Sequence, residues 1–309
     1  MKKYLISVLC LIVITLLLVF SSNNAKGQNK VVATSFYPVY IATLNIIDGV
    51  EGVTVFNLAS ETVGCIHDYT LSPQDMVKLS DADCLIINGS KMENFIEDVI
   101  QNYPELDIID ISEGVNEIEC TKCHESNESR SLHHEHGVNP HTFVSVDNHI
   151  IQVNNLARGM SKIDKENSEI YLRNAEEYTN KLENLKANIS DQLSPYANVK
   201  ILALHESFEY FAKEFNLDVI DVIEVEEGQA ISAKDVAEII QKITAYNVKA
   251  IALESGYVSY IANSIAKDTA TQTFEFDPIV SGNIDKDAYI TKMNINLKNI
   301  LKALEEEKR

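Results

Sequence analysis

Positive charge is scarce in this chain: 26 lysines and arginines stand against 46 aspartates and glutamates, for a formal charge of −20. An acidic field repels a polyanion, which argues against a surface that tracks nucleic-acid phosphates and suits a protein whose ligand is a cation. Cysteine is sparse too. Of five in 309 residues, Cys10 lies in an apolar N-terminal run, and Cys65, Cys84, Cys120 and Cys123 are too few for a disulfide scaffold. The close pair Cys120 and Cys123 stays open to a disulfide, a metal or free thiols. Also absent are H-E-x-x-H, G-x-S-x-G and the phosphate-cradling G-x-x-x-x-G-K-[ST]. These absences speak against a zinc peptidase, an esterase and an ATPase, and the chain is read as a non-enzyme.

Long apolar runs are wanting except at the start, where Lys2 and Lys3 precede Leu5 to Phe20 and the polar stretch Ser21 to Gly27 follows. That layout is a secretory signal, with cleavage expected near Ser21 to Ala25, although an uncleaved anchor has a similar look. The protein is therefore expected to be exported, to a periplasm or the cell surface, with residues 1–27 as signal or anchor.

From Val31 short apolar runs alternate with amphipathic stretches. Val31 to Ala33, Val53 to Leu58, Cys84 to Ile87 and Ile108 to Ile111 have strand length, Pro38 opens a first helix and Ser72-Pro73 a second. A second series follows residue 195: Lys200 to Leu204, Val219 to Val222, Ala250 to Leu253 and Thr273 to Phe276 as strands, Ser232 to Tyr246 and Lys286 to Glu306 as helices. Between them Lys165 to Leu193 holds neither glycine nor proline and repeats Tyr171, Ala175, Tyr178, Leu182, Leu185 and Ile189 at helical spacing, a helix about 40 Å long. The expected fold is α/β: two Rossmann-like lobes, 28–164 and 195–309, each a largely parallel sheet with flanking helices, joined by one long rigid helix over 165–194.

Five of the eight histidines, His124, His133, His134, His136 and His141, fall within eighteen residues. Neutral imidazole suits zinc and neighbouring transition metals, so residues 120–137 form a His/Cys-rich loop of metal-binding composition, and a solvated polar loop is the bland alternative. Cys120, Cys123 and His124 also spell C-x-x-C-H, the haem-attachment signature; haem needs an apolar pocket, which this polar loop does not offer. Cys120, Cys123, His124, His133, His134 and His136 are accordingly read as an auxiliary metal-binding set. His67 in GCIHDY, His141 in NPHTF and His205 in LALHESFEYF stand where loops are expected to follow strands, the usual place of ligand sites in α/β sheets.

The spaced segments SFYPVY, HDYTLSPQD, DADCLIINGSKMENF, NPHTF, HESFEYFAKEFNL, EEGQAISAKDVAEII and FDPI, from about Val31 to Leu304, resemble the zinc and manganese solute-binding proteins of ABC transporters, the cluster with two lobes and a rigid connecting helix. The resemblance implies that His67, His141 and His205 are imidazole ligands and Asp277 the carboxylate, with the metal between the lobes. Zinc accepts such a nitrogen and oxygen set at about 2.0 to 2.2 Å. Histidine rather than glutamate at position 205, and the His-rich loop, imply the zinc branch. Manganese, which favours harder oxygen ligands, is the alternative.

By the same resemblance the partners are an ABC permease and its ATPase; a monomer is expected, and the stiff connecting helix is expected to limit lobe motion to local rearrangement rather than a wide closure. A surface adhesin is the remaining alternative. Glu206 and Glu254 are read as exposed or helix-end carboxylates in preference to groups that hold an imidazole. Cys65 departs from the family pattern.

Overall fold

The computed structural model describes residues 29–59, 69–119, 137–223, 233–255 and 260–305. The N-terminal signal, His67, Cys65, Ser232 and the whole auxiliary set lie outside these residues. Among the described residues no helix is long and apolar enough to cross a membrane.

The first half builds β1 (Lys30–Thr34), α1 (Tyr37–Ile46), β2 (Val53–Asn57), α2 (Pro73–Ser80), β3 (Cys84–Ile87), α3 (Ile96–Asn102), β4 (Asp107–Asp110) and α4 (Val146–Ile163). α5 (Ser168–Leu193) leads to β5 (Lys200–Ala203), α6 (Phe208–Glu214), β6 (Asp218–Val222), α7 (Ala233–Tyr246), β7 (Ala250–Glu254), α8 (Tyr260–Thr269), β8 (Gln272–Phe276) and α9 (Ala288–Glu305). The strands form two parallel four-stranded sheets of the same order, β2-β1-β3-β4 and β6-β5-β7-β8. Each expected strand is present within a residue or two. The inner strands, β1 and β3 of one sheet and β5 and β7 of the other, are buried along most of their length and so read as apolar stretches.

α2 starts where Ser72 predicts it. The serine hydroxyl accepts from the Asp75 amide, the Asp75 carboxylate accepts from the Ser72 amide, and Pro73 needs no hydrogen bond in the first turn. α5 runs 26 residues after a short 3-10 turn, and its six expected apolar positions are all buried.

The sequence singles out none of α3, α4, α6 and α8, and α4 is the longest of them. Its inward face carries Asn148, His149, Gln152 and Asn155 among Val153, Leu156, Ala157 and Met160, all buried. Polar side chains at core positions dilute the stripe by which an amphipathic helix is recognised.

The lobes do not meet across a loose hinge. One continuous cluster of buried apolar side chains runs from Val32 and Phe36 through Tyr171, Tyr178 and Leu182 to Phe208, Tyr289 and Leu304. Tyr289 on α9 stacks on His149 of α4, with ring centroids 3.9 Å apart and planes at 10°. The tyrosine hydroxyl donates to the Phe143 carbonyl at 2.9 Å. Glu214, at the end of α6 in the second half, accepts from the Val146 and Asp147 amides at 2.7 and 3.1 Å, capping α4 of the first half. A carboxylate at a helix N-terminus meets amides that have no intrahelical partner and the positive end of the dipole.

Leu182 is fully buried in the shared core and Leu172 half exposed on the same helix. Leu182→Ala is expected to cost about 2–5 kcal/mol in chemical denaturation, and Leu172→Ala to stay within about 0.5 kcal/mol. Burial pushes the His149 imidazole down to about 3. Its depressed folded value means that stability is fully present above the unfolded value near 6.5 and is lost as pH falls towards 3. Between pH 6.5 and 5 this one group is expected to remove about 2 kcal/mol, and thermal melts of His149→Phe should show that part of the acid sensitivity gone.

Candidate functional site

The sheets place their C-terminal strand ends together with the candidate residues. His205 follows β5, Glu254 is the last residue of β7, and Asp277 follows β8. His141 differs from expectation: no strand precedes it directly. It follows an isolated antiparallel bridge between Glu119 and Val138 and opens the 3-10 turn Thr142–Val144 that feeds α4.

A buried polar network holds that turn in place of a strand. Glu93 accepts from Ser35 Oγ at 2.7 Å and from the Asn88 and Gly89 amides at 2.7 and 3.1 Å. Asn88 in turn donates to the Pro140 carbonyl at 3.2 Å, and its Oδ1 accepts from Gln152 Nε2 at 2.8 Å and from Thr142 Oγ1 at 3.4 Å. Burial pushes the Glu93 carboxyl up to about 7, against the donors that favour its ionised form.

The imidazoles of His141 and His205 meet edge to face, with centroids 5.0 Å apart and planes at 87°. Asn139, fully buried beside them, decides how His141 presents itself. Its Nδ2 donates to the Glu206 carbonyl at 2.9 Å and to Glu209 Oε2 at 3.0 Å, so both partners are acceptors and the amide orientation is settled. Oδ1 therefore faces His141, where it accepts from the backbone amide at 3.1 Å and lies 3.0 Å from Nδ1. Glu206 Oε1 stands 3.4 Å from the same Nδ1. Two acceptors at Nδ1 put the proton there and the lone pair on Nε2, the atom that can bind a cation.

His205 Nδ1 lies 3.1 Å from Glu254 Oε2 and accepts from the Ser207 amide at 3.1 Å. The amide can only donate, so it asks for a lone pair where an ionised Glu254 asks for a proton. Burial holds both imidazoles well below their usual value, His141 at about 3, and proximity to His141 adds to the effect at His205. Burial, reinforced by Asp277, lifts Glu254 to about 7. Glu206 and Glu254 are thus neither exposed nor free helix-end carboxylates: Glu254 is 9% exposed and each stands against one imidazole. Their role was illegible in the sequence because only tertiary contact separates a carboxylate beside histidine from one in solvent.

Asp277 sits in a strained turn. Its Oδ1 accepts from the Ile279 amide at 2.7 Å, and Ile279, a β-branched residue, takes φ +66°. That conformation costs on the order of 1–3 kcal/mol and persists only where its surroundings enforce it. Asn296 on α9 supplies part of that enforcement, accepting from the Asp277 amide at 2.7 Å and donating to its carbonyl at 2.8 Å. Asp277 Oδ2 pairs with Lys292. Of the four expected ligands, His141 and His205 are in ring contact, Asp277 acts on Glu254 through its charge, and His67 lies outside the described residues. The flanks of its segment are tied, Tyr69 donating to the Leu58 carbonyl at 3.4 Å and to Asp75 at 2.7 Å. Among the described residues no group of three or more His, Cys, Asp or Glu is gathered closely enough to hold a metal ion.

A family model described as zinc-uptake complex component A, periplasmic (ZnuA), matches residues 32–303. The chain belongs to the ZnuA family. It is 27% identical over 293 residues to the zinc-binding protein AdcA of Streptococcus pyogenes serotype M3, covering 89% of this chain and 56% of that protein. This ZnuA-family chain therefore spans about half the length of the curated AdcA relatives it matches. With the high-affinity zinc uptake system protein ZnuA of Bacillus subtilis it shares 26% over 255 residues, 82% of this chain and 79% of the other. Among solved structures, the solute-binding protein FpvC of Pseudomonas aeruginosa in complex with Mn2+ superposes with a TM-score of 0.77 at 25% identity, covering 91% of this chain and all of that one. The two-lobed α/β fold expected from the sequence is that of these structures.

If Asn139 sets the tautomer, nitrogen NMR of the metal-free protein should find His141 with an unprotonated Nε2. Asn139→Ala should blur that single state and cost about 2–3 kcal/mol, because several buried donors and acceptors lose their partner.

Proposed function

We propose that this protein is an exported zinc-capturing component of an ABC importer, which binds the ion between its lobes and passes it to a membrane permease driven by a separate ATPase. The observation that carries the reading is the pair of neutral imidazoles from the two halves of the chain, His141 buried and His205 partly exposed, in ring contact and each backed by a carboxylate. Neutral imidazoles need not shed a proton to bind a cation. A carboxylate behind each Nδ1 fixes the ring and raises the basicity of Nε2 once an ion is there, which resolves the competing demands on His205 in favour of a proton towards Glu254.

His67 and Asp277 complete the set in this reading, a three-histidine and one-carboxylate site chemically suited to Zn2+. Membership of the ZnuA family and the zinc-binding names of AdcA and B. subtilis ZnuA support zinc as the cargo. The protein acts as a monomer and performs no chemistry on its ligand. The apolar core that crosses between the lobes restricts capture to local rearrangement. Cys120, Cys123, His124, His133, His134 and His136 form an auxiliary loop that collects zinc weakly ahead of the main site.

Manganese is the second reading, favoured by the Mn2+ complex of FpvC. Metal analysis and chelator competition distinguish the two. Protein purified without added metal should hold one tightly bound zinc, and His205→Ala or His67→Ala should lower zinc affinity by more than about 100-fold, beyond what loss of an outer supporting group costs. Zinc affinity that survives both substitutions, or a stoichiometric manganese content in their absence, would overturn zinc capture at this site.

A further inference from the structure

One carboxylate oxygen of Asp277 already accepts a backbone amide, and a cation of the protein's own stands on the other. Oδ1 is committed to the Ile279 amide at 2.7 Å, while the backbone on both sides is clamped by Asn296. The remaining oxygen, Oδ2, is paired with the Lys292 ammonium. Lys292 lies on α9 one turn before Asn296, so one helix holds both the peptide of Asp277 and its outward oxygen.

The lysine is not a loose surface side chain. Its side chain is 19% exposed, and a Cβ added to Gly282, at φ +150°, would come within 3.0 Å of Lys292 Cε and 2.7 Å of Tyr37 Oη. The Tyr37 hydroxyl donates to the neighbouring Asn283 carbonyl at 2.7 Å, tying α1 of the other half over the same turn. Lys292 and Tyr37 thus both pack close against Gly282, where a side chain would crowd them.

We infer that Lys292 is an affinity- and selectivity-setting residue: a tethered ammonium that competes with the incoming divalent ion for Asp277 Oδ2. This inference rests on the zinc-capture reading. Binding is then an exchange in which the ion takes the oxygen and the ammonium withdraws to solvent or shares it. Release is the reverse, with Lys292 returning to the carboxylate as the ion departs. A site built this way binds less tightly than its donor set allows and lets go faster. The penalty falls hardest on ions that depend on oxygen donors, so Lys292 disfavours manganese more than zinc.

The test is chelator competition on the purified full chain with zinc alone and with manganese alone, comparing wild type with K292M and K292Q. Both variants keep a stem of similar length without the charge, and the second serves if the apolar one folds poorly. Zinc affinity is expected to rise about twofold to fivefold, in proportion to a partly exposed ion pair. The gain should appear as slower dissociation, and manganese affinity should rise more than zinc affinity. In a D277N background the gain should vanish, because Lys292 acts only through Asp277. Unchanged or weaker zinc binding in the Lys292 variants, or a gain that persists with D277N, would falsify the inference. The wild-type protein and H205A run alongside: if wild type fails to bind zinc, or H205A binds it as well, the capture reading itself falls, whereas loss of binding in H205A with no change in K292M sinks only the role of Lys292.

Discussion

The carboxamide of Asn139 makes four hydrogen-bonding contacts within a fully buried space, and the arrangement of the candidate site depends on them. Its nitrogen is spent on the α6 side, at Glu206 and Glu209, and its oxygen on His141. One side chain therefore fixes the distance between the segment carrying His141 and the segment carrying His205, and at the same time fixes which nitrogen of His141 bears the proton. The backbone carbonyl of Asn139 accepts from Tyr210 Oη at 2.6 Å, and that oxygen accepts from the Ile118 amide at 3.0 Å, so the bridge between the halves continues beyond the carboxamide. Buried polar networks are worth their desolvation only when every member is satisfied, which makes this bridge specific in geometry.

Around that bridge the halves are joined by packing, by the Glu214 cap on α4 and by the Tyr289 stack on His149. A core that continues across the junction cannot open widely without exposing large apolar surface. Rearrangement at the candidate site must then work through side chains and short turns. The Asp277 turn is strained at Ile279, clamped at its peptide by Asn296 and paired through Oδ2 with Lys292. The Glu93 and Asn88 network performs a parallel task for His141, holding a short helical turn where no strand supports it.

Much of the fold was legible because its signals are local. Central parallel strands leave unbroken apolar runs, Ser72 and Pro73 mark a helix start, and the stretch from Tyr171 to Ile189 keeps one period for about five turns. α4 was not legible, since Asn148, His149, Gln152 and Asn155 face inward and interrupt the stripe. Their partners are distant in sequence, Asn116 for Asn148 and Asn88 for Gln152, and no local pattern records them. The NPHTF motif drew attention to His141, but its support was misplaced: a polar network, not a strand end, carries it.

The sequence by itself determined the α/β class, the long connecting helix, the acidic character and the histidines proposed here as ligands, because residue type, periodicity and motif spacing carry that information along the chain. Tertiary structure alone decided that Glu206 and Glu254 stand behind the imidazoles, that Asn139 sets a tautomer, that Ile279 is strained and that Lys292 holds Asp277. Each of these is a contact between segments remote in sequence or a balance of burial against pairing. Such balances exist only once water has been excluded and the chain has folded back on itself.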